Sequence, residues 1–250
     1  MESAVNTSSY RTFRYGELNS TNDQTRNLLT AGNVSGNFIV VATNQTSGRG
    51  RAGRTWQSLM GNLLCSFGLT SSVSTIRLSE LSFVIAVALQ AAMTTVLRKG
   101  TKAKIKWPND ILINDAKISG ILLEVVNVPA RDHPAVIIGV GVNIVSHPQS
   151  LDRPSTCLHE LGYGGNAKSF LEILADEFFS SVAAWERDGF TPIRQAWLDH
   201  AVGLGEEISI RSGNDQQQGV FEALDSTGAL LLRLQNGSLQ TITAGDIFLG

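Results

Sequence analysis

TNQTSGRGRAGRTW, residues 43–56, follows directly on the apolar run Phe38-Ile39-Val40-Val41, and its reading decides the rest of the chain. The apolar run is a buried strand. The loop after it interleaves Arg49, Arg51 and Arg54 with Gly48, Gly50 and Gly53, so it has little to pack and many protons to donate. Glycine lets a backbone approach a ligand closely, and guanidinium forks match phosphate and carboxylate oxygens. In an extended stretch Arg49 and Arg51 project to the same side. From these residues alone the loop is a lid over an anion, a solvated basic turn or a basic patch for nucleic acid.

Working outward, the segment before the strand reads GELNSTNDQTRNLLTAGN. Thr21-x-x-Gln24 has the capping-box pattern of a helix that carries Leu28 and Leu29 and stops near Gly32. Ser20, Thr21 and Asn22 then sit at a helix N-terminus, where they either cap the helix or help receive an anionic or carbonyl ligand. Beyond the loop, Leu63, Cys65, Phe67 and Leu69 alternate as in a strand. Ser79 is placed to cap a long apolar core helix ending in basic residues and Gly100.

Residues 104–125, KIKWPNDILINDAKISGILLEV, read as strands at 103–107, 110–113 and 118–125, with Asn114-Asp115 as the turn of an antiparallel hairpin. Pro108 cannot continue a ladder and leaves Asn109 and Asp110 at a bend. Lys106, Asn109, Asp110 and Lys117 are thereby gathered around one hairpin, although hairpin lysines are ordinarily solvated. The run 135–142 is a further strand, and its Gly139-x-Gly141-x-Asn143 lacks both the third glycine and the following helix of a dinucleotide fingerprint. Those glycines mark close approach by a ligand or another backbone. A long connection over 146–166, an amphipathic helix over 168–187 and a helix starting at Thr191-Pro192 follow. From Glu206 the chain turns to short β segments separated by Gly, Asn and Asp turns, a small barrel-like domain that leans on the main one. The boundaries expected are 1–202 and 203–250.

Composition narrows the function. A formal net charge of −2 over 250 residues argues against a general nucleic-acid binder. Two cysteines imply no disulfide framework, and the N-terminus, expected to be loosely ordered over residues 1–9, shows neither an export signal nor a membrane anchor. A cytoplasmic protein without membrane association is expected. His133, His147, His159 and His200 never fall at H-x-x-x-H spacing, so no metal site is expected. The G-x-S-x-G elbow and the Walker A pattern are absent. Arginines on a glycine loop, lysines beside an aspartate and hydroxyls at a helix start suit the activation of a carboxylate by a nucleotide.

GRGRAGRTW, KWPND followed by K-x-S-G-I-L-x-E, and GVGVN, in this order, with STN upstream and a small β domain downstream, closely resemble the biotin protein ligases. The resemblance spans residues 16–250. It implies an α+β chain whose catalytic domain has a mixed sheet related to class II aminoacyl-tRNA synthetases, followed by an SH3-like β-barrel. It implies that biotin and MgATP give biotinyl-5′-AMP, from which a lysine of a biotin carboxyl carrier protein takes the biotin. It further assigns Ser20, Thr21, Asn22, Gln45, Gly48, Arg49, Gly50, Arg51, Lys117 and Gly120 to biotin. Arg49, Arg51, Arg54, Trp56, Lys106, Asn109 and Asn143 go to ATP, and Lys117, Arg51 and Asp110 to catalysis. A DNA-binding helix-turn-helix ahead of the catalytic motifs is not expected, and the segment after Asn143 has no tryptophan to cover adenine. A lipoate or octanoate ligase or transferase, and a non-catalytic biotin-sensing regulator, remain alternatives. The oligomeric state stays open, a homodimer included.

Overall fold

The computed structural model describes residues 10–32, 34, 36–70, 75–128, 133–149, 153–212 and 215–249. Expectations for residues 1–9 and for the turn at Gly213-Asn214 lie outside them. The seven main-domain strands are β1 (Arg11–Leu18), β2 (Phe38–Gln45), β3 (Leu63–Leu69), β4 (Ala103–Lys106), β5 (Asp110–Ile113), β6 (Ala116–Val126) and β7 (Ala135–Val142). They form one sheet in the order β1-β2-β3-β7-β6-β5-β4. β1 and β2 pair in parallel and every other pair is antiparallel, so the sheet is mixed.

The central strands read as unbroken apolar runs because both of their faces are covered. On one face Phe67, Val136, Ile138, Val140 and Val142 pack against α2 (Leu81–Val96) and α3 (Ala167–Asp188), with α4 (Phe190–Leu198) alongside. On the other, Phe38, Val40, Ala135 and Ile137 pack with Leu29 of α1 (Thr21–Thr30). Arg77–Val96, which includes α2, is apolar and long enough to cross a membrane, but most of it is buried in this core. The strands β8 (Glu207–Ser212), β9 (Asp215–Leu224), β10 (Leu230–Arg233), β11 (Leu239–Ile242) and β12 (Asp246–Leu249) form a second, antiparallel sheet in the order β11-β10-β9-β8-β12. Its Phe221, Leu230, Leu232 and Ile247 belong to the same apolar cluster as α2 and α3, so the two sheets share one core. The Trp107 indole N–H donates to Gly228 O at 3.3 Å, and the Phe83 ring fills the space beside Gly228, whose φ of +87° favours glycine.

Several local expectations are corrected. Ser20, not Thr21, is the N-cap of α1, and no capping box forms. Gln24 instead donates to the Tyr15 hydroxyl, while the free Thr21 N–H is met by Gln45 from β2. A tertiary acceptor has replaced the local cap. Ser79 lies in a 3-10 turn, Thr75–Glu80, so α2 starts from Glu80 and ends at Val96 before the basic residues. The proline at 108 shortens β4 to Lys106, and α4 begins at Phe190 with Gly189 as its cap. The Asn114-Asp115 hairpin forms as expected, with both residues at positive φ, the backbone of a two-residue type I′ turn.

Buried Glu80 accepts from the Trp185 indole at 2.5 Å and from Arg77 at 3.2 Å, and Arg77 stacks over the same indole. Trp185→Phe keeps most of the apolar contact but removes that donor from a buried carboxylate. Urea unfolding is expected to show a loss of about 1–3 kcal/mol.

Candidate active site

Three segments of unlike sequence meet over the α1 side of β7, where Gly139 and Gly141 leave the sheet bare. A Cβ at Gly139 would strike the Asn22 side chain, and one at Gly141 the Trp56 indole. The glycines therefore admit side chains from α1 and from the arginine loop, where the sequence suggested a ligand or a backbone. At the α1 end Ser20, Thr21 and Asn22 are all buried. The Thr21 N–H and hydroxyl donate to Gln45 Oε1 at 2.8 and 3.1 Å. The Ser66 hydroxyl from β3 lies 2.6 Å from Asn22 Oδ1 and 2.7 Å from Thr21 Oγ1, and Asn22 donates to Glu124 at 2.9 Å. This is a buried, mutually hydrogen-bonded set of small polar groups, suited to a neutral polar ring.

The arginine loop folds back on itself. Arg49 bridges Thr55, the Trp56 N–H donates to Gly48 O, and the tip turns through Ala52 and Gly53, both at positive φ. Arg49 and Arg51 do not act as a parallel pair, because the turn and their partners part them. Arg49 makes two 2.7 Å bonds to Asp23 in the first turn of α1 and lies 3.5 Å from Glu124. That bidentate bond holds the Asp23 carboxyl below its usual range. Arg51 reaches the other way, to Asn109 Oδ1 at 3.3 Å, and burial lowers its guanidinium from the usual value. Gly48 serves packing, since a Cβ there would press on Trp56 O and Gln45.

From the hairpin, Lys117 Nζ lies 2.6 Å from Asp110 Oδ1 and 5.7 Å from the centre of the Trp56 ring. The Lys117 backbone is held from outside the hairpin: its N–H donates to Pro154 O, and its carbonyl accepts from the Thr156 N–H. Asn109 is clamped to β6 through Ile121 by bonds in both directions, at 2.7 and 3.0 Å. Asn143 is buried and donates to Thr156 O at 3.1 Å.

One cavity of about 330 Å³ is lined by Ser20, Thr21, Asn22, Gln45, Arg49, Gly50, Arg51, Arg54, Trp56, Asn109, Asp110, Lys117, Gly120 and Asn143. Gly48 stands behind its wall. Lys106 also lies outside it, half-buried and 5.9 Å from the Phe248 ring, and burial together with the charge of Arg153 lowers its ammonium from the ordinary lysine value. The cavity wall includes Arg153, Pro154, Ser155 and, from the C-terminal sheet, Asp246, none of which the sequence singled out. Asp246 accepts from Arg54 at 3.0 Å and lies 3.7 Å from Arg153. Burial alone would raise its carboxyl; the Arg54 bond and the surrounding arginine charges hold it below the usual range. No local pattern marks this contact, which joins positions 192 residues apart. Ser66 and Glu124 were missed for a similar reason, each looking like an ordinary strand residue. Among the described residues no group of three or more His, Cys, Asp or Glu gathers to hold a metal.

Comparison with known proteins places this geometry. Residues 16–143 match the model of the Biotin/lipoate A/B protein ligase family, and residues 203–250 that of the Biotin protein ligase C terminal domain. The chain is 37% identical to a biotin–[acetyl-CoA-carboxylase] ligase of Paracoccus denitrificans, over 87% of this chain and 92% of that protein. The biotin protein ligase of Aquifex aeolicus solved with biotin and ATP superposes with a TM-score of 0.79 at 26% identity, covering 95% of this chain and 97% of that one. The Leishmania major enzyme in complex with biotinyl-5-AMP gives 0.65 at 27% identity, over 93% and 98%. The chain belongs to the biotin protein ligases of the Biotin/lipoate A/B protein ligase family.

Proposed function

We propose that this chain is a biotin–[acetyl-CoA-carboxylase] ligase that joins biotin to AMP and then to a lysine of a carrier protein. The observation that carries the reading is the shared cavity, with small buried hydrogen-bonding groups at one end and Arg51, Arg54, Lys117 and Arg153 at the other. In this reading residues 1–202 form the catalytic domain and 203–250 the C-terminal one. The ureido ring of biotin is met by Ser20, Thr21, Asn22 and Gln45, and its tail runs past the Trp56 indole toward Lys117. The Trp56 indole N–H is buried over Gly141 and has no acceptor among the described residues.

In the first step a biotin carboxylate oxygen attacks the α-phosphorus, the bond from that phosphorus to the bridging oxygen breaks, and pyrophosphate leaves with the electron pair. Lys117 and Arg51 stabilise the charge that gathers on the α-phosphate and the departing oxygen, acting in a partly dry site where such interactions are strengthened. Arg49, Arg54, Asn109 and Asn143 position the nucleotide, with Lys106 adding positive charge from behind the wall. Magnesium would enter as part of the MgATP substrate and would supply further positive charge to the phosphates. In the second step the neutral acceptor amine attacks the acyl carbon, the bond from that carbon to the AMP oxygen breaks, AMP leaves with the electron pair, and the amine nitrogen loses a proton to solvent. Asp110, already paired with Lys117, orients both the lysine and the incoming amine. The arginine loop excludes water until the acceptor enters. The carrier is a biotin carboxyl carrier domain, no nucleic acid or membrane takes part, and the site works in the cytoplasm.

Pyrophosphate release separates the readings: release with biotin and ATP is expected, whereas release with lipoate alone would falsify the substrate assignment. Binding of biotin without adenylate formation would favour a sensor. Lys117→Ala is expected to slow single-turnover adenylate formation about 10²–10³-fold, the scale for one preorganised charge donor, with an unchanged circular dichroism spectrum. Arg51→Gly removes the tie between loop tip and Asn109, so biotinyl-AMP should escape and label bystander lysines. Labelling confined to the carrier would sink that role.

A further inference from the structure

The C-terminal sheet touches the cavity through one strand, β12, whose Asp246 lines the wall, while Phe248 further along that strand does something different. Asp246 is the anion on which Arg54 of the loop and Arg153 of the 153–156 segment converge, at 3.0 and 3.7 Å. Two positions along the same strand, and so on the same face, the Phe248 ring has three cations around it: Arg153 at 4.7 Å, Arg211 at 5.2 Å and Lys106 at 5.9 Å. Four cations from four separate segments would repel one another if nothing lay between them. The carboxylate and the negative ring face offset that repulsion. Carboxylate and phosphate oxygens use the same guanidinium donors. A phosphate reaching Arg54 and Arg153 therefore competes with Asp246 for them and sets a second negative charge beside it.

We propose that Asp246 is a displaceable counter-anion for the phosphate-binding arginines, and that Phe248 is the positioning residue that keeps the cations gathered once a phosphate has taken the place of the carboxylate. The C-terminal domain thereby tunes triphosphate affinity while leaving the biotin end untouched. The proposal rests on the ligase reading only for the identity of the anion, a nucleoside triphosphate.

The test is calorimetric titration of the full-length chain with MgATP, with and without saturating biotin, alongside titration with biotin alone. Asp246→Asn should tighten ATP roughly threefold, the scale of one partly exposed charge interaction. Phe248→Leu, which keeps apolar volume but loses the ring face, should weaken it roughly tenfold, and Phe248→Tyr should restore it. Biotin affinity should be the same in all three. A purely structural role would weaken ATP binding in both Asp246→Asn and Phe248→Leu, so weaker binding by Asp246→Asn overturns the proposal. So does a Phe248→Tyr chain that behaves like Phe248→Leu. If Phe248→Leu does not fold, the Asp246→Asn and Phe248→Tyr titrations still decide. A wild-type chain that binds ATP but releases no pyrophosphate with biotin overturns the substrate reading instead, and the opposite shifts of the two variants remain measurable.

Discussion

Close contact between side chains and bare backbone at Gly139 and Gly141 is the constraint from which the site follows. On a packed sheet each strand residue fills its own column of space, and at these two positions the columns are taken by Asn22 and Trp56. A methyl group at either would lift the start of α1 or the indole off β7. The same parity puts Val140 and Val142 into the core on the opposite face. One strand thus carries the apolar packing and the floor of a polar cavity at once. The cost is lost side-chain packing at two strand positions, which the covering residues restore.

Charge is the second organising force. The cavity collects Arg49, Arg51, Arg54, Lys117 and Arg153 from segments far apart in sequence, and three carboxylates tie most of them: Asp23 holds Arg49, Asp110 holds Lys117, and Asp246 holds Arg54 with Arg153 nearby. Several of these pairs are partly exposed, so each adds little to stability. Their value is geometric. Each fixes a long, flexible side chain at the cavity, lowering the entropy that ordering it would otherwise cost.

Much of this was legible in the sequence, for reasons that can be named. The hairpin at Asn114-Asp115 and the strand at 135–142 were readable because turn chemistry and unbroken apolar runs are local signals. The arginine loop, Asp110 and Lys117 stood out because their residue types are costly unless used, and they do line one cavity. The helix caps were misjudged because Gln45, which lies 24 residues from Thr21, supplies the acceptor that a local pattern seemed to provide. Asp246, Arg153 and Ser66 stayed hidden because their roles exist only once the chain has folded. The separate directions of Arg49 and Arg51 were hidden too, since an extended loop was assumed where the backbone turns at Ala52 and Gly53.

The backbone of Lys117 shares its two outward hydrogen bonds with Pro154 and Thr156, the segment that also carries Arg153. An ammonium group on four methylenes would ordinarily drift independently of a loop across the cleft. Here an isolated parallel bridge joins Lys117 to Ser155, so a displacement of the segment bearing Arg153 is felt at the root of the Lys117 side chain. The Lys117 and Arg153 side chains thus rise from one hydrogen-bonded unit, and the spacing of their backbones is set by covalent geometry and two N–H···O contacts.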